Sequence, residues 1–166
     1  MELYNFMSKY FWLIAILVTC INWFIFKKRA QKHIAENKQL ANGYEALFKG
    51  YLVWMNIPWI VMGFGCAIGG VPSVWHYFRP RDGNPFVLAW FGSVFFIWIA
   101  GTFWLFFKDG AKTLAKHPGA IEFRIGFKRK DISNPTMIKA LWLLCLVGGI
   151  IGVAMMWTMD IPLPNI

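Results

Sequence analysis

FVLAWFGSVFFIWIAGTFWLFF, residues 86–107, runs for 22 residues without one Asp, Glu, Lys, Arg or His. At 1.5 Å of rise per residue, a helix of that length crosses roughly 30 Å of hydrocarbon. It is apolar all round, so as a helix it has no face to turn to water. Three further windows share this property: residues 10–26, 51–70 and 136–157, the last uncharged from Ala140 onward. The first is near the lower length limit, and Lys9 can extend it by snorkelling to the interface. Composition agrees, since the 166 residues are 58% apolar, 19% aromatic and 15% charged, too little polar surface for a soluble domain. The expected fold is an all-α integral membrane protein, a four-transmembrane-helix bundle of two helical hairpins, forming one polytopic domain over residues 1–166.

Orientation follows from the basic residues. Residues 27–50 carry six (Lys27, Lys28, Arg29, Lys32, Lys38, Lys49) and residues 108–139 carry eight, against three (Lys9, Arg79, Arg81) elsewhere. Because Lys and Arg are retained on the cytoplasmic side, loops 27–50 and 108–135 are expected inside, and loop 71–85 and both termini outside. With the acids included, the net charge of +9 falls wholly on the inner side. The first span does not read as a signal peptide, because its charge cluster Lys27-Lys28-Arg29 follows the apolar run and no small-residue cleavage site stands between. With no organellar presequence or retention signal visible, the expected address is the bacterial cytoplasmic (inner) membrane.

Local chemistry marks the boundaries. Asn84-Pro85 and Asn134-Pro135 each put a capping side chain and a first-turn proline before a span. Residues 73–78 are expected as a short interfacial helix, and the first span as a helix continued to about Leu40 and broken at Asn42-Gly43. Pro58 lies near the end of its span and needs no kink, although Asn56-Ile57-Pro58 can open the backbone. Residues 108–116 suit one or two helical turns, and His117-Pro118-Gly119 a turn. Ile121, Phe123, Ile125 and Phe127 then alternate with Glu122, Arg124, Gly126 and Lys128, a strand pattern. That strand is expected as a hairpin on the headgroups or a docking edge for another chain; the plainer alternative is an interfacial loop dipping into lipid. A faint internal echo pairs Trp59, Gly65 and Gly69 with Trp142, Gly148 and Gly152 at a constant offset of 83, which would relate the two hairpins by duplication.

Inside the spans the strongest signal is packing: Gly65-x-x-x-Gly69 and Gly148-x-x-x-Gly152 would let the second and fourth helices approach closely. Asn22 and Asn56 are candidates for an interhelical amide hydrogen bond of about 1 kcal/mol. None of the four spans carries the buried ionisable group that proton relays and ion-coupled carriers need. The histidines lie in loops, where His33 and His117 read as solvated side chains, and Cys20, Cys66 and Cys145 have no C-x-x-C spacing. No metal site, cofactor or catalytic motif is expected. One polar constellation, His76, Arg79, Arg81 and Asp82, packs ionisable groups into the outer loop and is a candidate anion or lipid-headgroup site. Local Arg79–Asp82 pairing is its simpler explanation.

The basic loops match the topology rule without a nucleic-acid motif, so the expected partner is anionic phospholipid, and besides it another membrane protein or a second copy; nucleic acid is not expected. The leading expectation is a non-enzymatic membrane protein acting through such contacts, as an accessory subunit or an immunity-like protein. The alternatives are a carrier or channel for a neutral or lipid-like solute, lined by Asn22 and Asn56, and a membrane enzyme acting on headgroups at the outer loop.

Overall fold

The computed structural model describes residues 2–125, 128–159 and 162–163, and of residues 123–125 and 128–129 the backbone alone. In chain order the helices are α1 (Glu2–Lys9), α2 (Phe11–Glu36), α3 (Ala41–Trp54), α4 (Ile57–Ala67), α5 (Pro85–Phe107), α6 (Gly110–Lys116) and α7 (Pro135–Thr158). Two short strands, β1 (Glu122–Ile125) and β2 (Lys128–Asp131), stand between α6 and α7. Among the described residues four helical stretches are long and apolar enough to cross a membrane: Phe11–Glu36, Lys38–Ala67, Pro85–Phe107 and Pro135–Thr158. The chain thus has the make-up of a multi-pass membrane protein, mostly helical, with one small hairpin among the described residues.

The proline boundaries form as expected. Asn84 Oδ1 accepts from the Phe86 amide at 2.9 Å at the head of α5, and Asn134 Oδ1 accepts from the Thr136 amide at 2.9 Å at the head of α7. Asn56-Ile57-Pro58 opens the backbone between α3 and α4. Proline offers no N–H to the Trp54 carbonyl, so α3 stops there and α4 restarts with Pro58 in its first turn, the Ile60 amide donating to the Asn56 carbonyl at 2.9 Å.

Two local expectations are corrected. The break after α2 falls at Asn37, where an extended backbone and a side-chain oxygen accepting from the Gln39 amide at 3.0 Å start a 3₁₀ turn leading into α3. Asn42-Gly43 lies inside α3, because the glycine is held there by an aromatic neighbour described below. The other concerns the glycine pairs. Gly69 lies beyond the end of α4 with φ +85°, a left-handed residue that terminates the helix, and its Cβ position is open. A Cβ on Gly148 or Gly152 would likewise meet nothing within 4 Å, whereas one on Gly65 would strike the Tyr77 hydroxyl and Phe86. Close approach is thus made by an aromatic group on a single glycine, and of the sequence-matched glycines of the 83-residue echo Gly65 is crowded where Gly148 is open, while Gly69 and Gly152 are both open.

The chain divides into two compact units. The first comprises residues 1–19, 54–97 and 147–166. Its core is Met62, Val71, Val74, Tyr77, Val87 and Phe91. A Cβ on Gly63 would lie 2.7 Å from the Trp12 ring, so α2 and α4 touch where the indole fills the glycine's gap. The expected short helix of loop 71–85 is a 3₁₀ turn over Val74–Phe78. From it Tyr77 reaches back to donate to the Met62 carbonyl at 3.1 Å, and Asn84 Nδ2 donates to the Gly70 carbonyl at 2.6 Å.

The second unit comprises residues 20–53 and 98–146. One of its clusters is Phe26, Ala30, Tyr44 and Phe48; the other is Leu105, Ala111, Ile132 and Ile138. Trp142 of α7 packs on Gly101 of α5, 2.7 Å from that residue's Cβ position, and donates its Nε1 hydrogen to Thr102 Oγ1 at 2.8 Å. β1 and β2 pair antiparallel, Glu122 opposite Asp131 and Ile125 opposite Lys128. This second unit holds all fourteen basic residues of the two long loops, and the first holds the remaining three.

Candidate functional site

The most elaborated polar structure in the chain is where the two basic loops of the second unit lock together. Arg29, in the last turns of α2, pairs with Glu122 of β1. Tyr44 of α3, fully buried, donates its hydroxyl to the Pro118 carbonyl at 2.6 Å. The His117 ring meets the Tyr44 ring edge-on with centroids 4.8 Å apart, and occupies the space that a side chain at position 43 would need. Because a carbonyl only accepts, the 2.6 Å contact from His117 Nδ1 to the Thr113 carbonyl puts the ring hydrogen on Nδ1. The Gly119 amide, in a turn with φ +76°, donates to Asp131 Oδ1 at 3.0 Å and ties the end of β2 to the same corner.

These contacts correct the reading of His117 as a solvated loop residue: it is 7% exposed and wedged between α3 and α6. The signal for it was weak in the sequence, since a helix-ending His-Pro-Gly gives no hint that its partner is a glycine more than seventy residues away. At the head of α6, the Lys112 ammonium beside Asp109 holds that carboxyl below its usual range.

Around this lock the cations face outward. Lys27, Lys28, Lys32, Lys38, Lys49, Lys108, Lys112, Lys116 and Lys130 are all exposed. Lys49 and Lys112 pair with Glu45 and Asp109 at 2.7 Å, contacts on the surface that add little stability. The result is a positively charged surface on a framework held by buried hydrogen bonds.

Of the expected docking edge, Ile121 packs into the Leu105–Ile138 cluster and its carbonyl accepts from the Ile132 amide at 3.0 Å. The backbones of Phe123 and Ile125 pair with Lys130 and Lys128, so the strand has its partner within the chain, and Phe127 lies outside the described residues.

In the first unit, the structure brings Arg79, Arg81 and Asp82 to an open cleft of about 220 Å³ shared with Met156 and Met159. Arg79 Nε is 3.1 Å from Asp82 Oδ2, so the local ion pair is formed and takes up part of the guanidinium. His76 turns aside from the cleft's lining, its Nδ1 3.2 Å from Ser73 Oγ. Burial first, and then the Cys66 thiol, push the Tyr77 phenol upward. Asn56 is buried at the α3–α4 break, and Asn22 is exposed on α2.

Comparison with protein-family models, with curated proteins and with solved structures finds no match.

Proposed function

We propose that this chain is a non-enzymatic multi-pass membrane protein that works through contacts, its two basic loops presenting a pre-folded cationic surface to anionic phospholipid and to a second membrane protein. In this reading the spans are threaded with loops 27–50 and 108–135 on the cytoplasmic side of a bacterial inner membrane and the termini outside. The observation that carries it is the lock itself. A loop whose only task is to hold the topology needs charge but no fold, whereas here Tyr44, His117, Arg29 and Glu122 fix two loops distant in sequence into one structure. Fixing the surface in advance lowers the ordering cost of binding. Each basic side chain near an anionic leaflet contributes about 1 kcal/mol, so a cluster of them is an effective anchor.

The test is purification in mild detergent followed by mass spectrometry of retained lipids and proteins. The reading expects anionic phospholipid enriched over zwitterionic lipid, together with a stoichiometric membrane-protein partner. Retention of lipids in the proportions of the source membrane, with no partner, would contradict it.

A further inference from the structure

One stretch of the basic surface differs from the rest. Trp23, Phe24, Lys27, Lys28 and Gln31 of α2 line an open groove of about 410 Å³. Spacings of three and four place these residues along one side of the helix, and at 1.5 Å per residue they extend over about 12 Å of its axis. Their order is a gradient: two aromatic rings, then two ammonium groups, then an amide. Phe24 is 63% exposed, although the residues nearest it along the helix include the buried Phe26. Lys27 Nζ lies 5.2 Å from the centre of the Trp23 ring. Neither Lys27 nor Lys28 has a carboxylate within ion-pairing distance among the described residues, whereas Arg29 next to them is paired with Glu122. The Trp23 Nε1 hydrogen is buried and has no acceptor among the described residues. Two cations without a carboxylate partner and an exposed ring at the end of an apolar run ask for a molecule with negative charge and a hydrocarbon tail.

We infer that this groove is a discrete binding site for one anionic phospholipid, its phosphodiester on Lys27 and Lys28 and its glycerol and upper acyl carbons against Trp23 and Phe24. The inference rests on the membrane reading above and narrows it from a charged surface to one site. Lysine suits this task as a mobile point charge on a flexible stem, and the aromatic pair fixes the depth at which the headgroup rests.

The experiment is native mass spectrometry of the delipidated full chain, titrated with dioleoyl phosphatidylglycerol, with dioleoyl phosphatidylcholine and with inorganic phosphate. The wild-type chain is expected to hold one phosphatidylglycerol at least tenfold more tightly than phosphatidylcholine, with phosphate unable to displace it. Lys27→Gln with Lys28→Gln should weaken that first adduct about tenfold, Trp23→Phe should weaken it several-fold, and Lys38→Gln with Lys49→Gln should leave it unchanged. Lys27→Arg with Lys28→Arg, which keeps the charge, should retain it. Equal weakening by both pairs of Gln substitutions would overturn the site while leaving a diffuse basic surface. Displacement by phosphate alone would overturn the assignment to lipid. No preference for phosphatidylglycerol in the wild-type chain would remove the lipid part of the proposed function as well.

Discussion

His117 fills the space beside Gly43, its imidazole standing where a side chain at position 43 would project from α3. A glycine within a helix ordinarily costs about 0.5–1 kcal/mol relative to alanine, so its presence here reflects the ring that needs the room. Gly43→Ala should therefore lower stability by about 1–3 kcal/mol, the range for overpacking. Gly92→Ala, at a helical position whose Cβ would meet nothing within 4 Å, should be neutral or stabilising. Thermal unfolding in detergent checks the order; equal midpoints for the two variants would refute the contact.

Tyr44→Phe removes the hydroxyl bonded to the Pro118 carbonyl and leaves the ring contacts in place. The loss is expected to be about 1 kcal/mol, which corresponds to roughly fivefold more frequent local opening of the lock. Limited trypsin digestion reads this directly, as about fivefold faster cleavage within residues 124–130. Unchanged cleavage would show that the two loops do not depend on that bond.

Trp142 of α7 and Thr102 of α5 form a side-chain hydrogen bond between two long apolar helices. Interhelical bonds of this kind average about 0.6 kcal/mol in membrane proteins, so a double-mutant cycle of Trp142→Phe and Thr102→Val should give a coupling of that order. Gly101→Ala should cost more than either, because the Trp142 ring must move. A coupling near zero would assign the contact to shape alone.

Tyr77 supplies a pH dependence. Its phenol is pushed above the ordinary tyrosine value by burial, so between about pH 7 and 10 both folded and unfolded chains keep the proton and stability does not change on its account. As pH rises beyond about 10 the unfolded phenol ionises while the folded one does not, and stability falls. Tyr77→Phe should be less stable at neutral pH, having lost the bond to the Met62 carbonyl, and should lose less stability between pH 9 and 11 than the wild-type chain. Parallel alkaline declines in the two proteins would contradict this role.

The long helices and their proline boundaries were legible because they depend on hydropathy and on local chemistry at Asn84-Pro85 and Asn134-Pro135, both of which a linear reading contains; at Pro58, where no kink is needed on the sequence alone, the helix is in fact broken. The misplaced break after α2 shows the limit. Asn42-Gly43 is a strong turn signal by itself, yet Asn37 ends the helix and tertiary contact with His117 keeps Gly43 helical. The glycine spacing misled for a related reason: Gly69 answers a backbone need at a helix end, and the close contacts are made by Gly63, Gly65 and Gly101, each opposite an aromatic residue from elsewhere in the chain. Of the candidate sites, the Arg79–Asp82 pair was legible from its three-residue spacing, whereas the Tyr44–His117 lock joins residues that no local pattern connects.

The threading of the chain is the claim on which the functional reading stands, and single cysteines report it most directly. In a background with Cys20, Cys66 and Cys145 replaced by Ala, Lys38→Cys, Arg81→Cys and Lys112→Cys place thiols at exposed positions in the three loops. In intact cells a membrane-impermeant maleimide should label position 81 and spare positions 38 and 112, which should react once the membrane is opened. Labelling of 38 or 112 in intact cells, or protection of 81, would contradict the account.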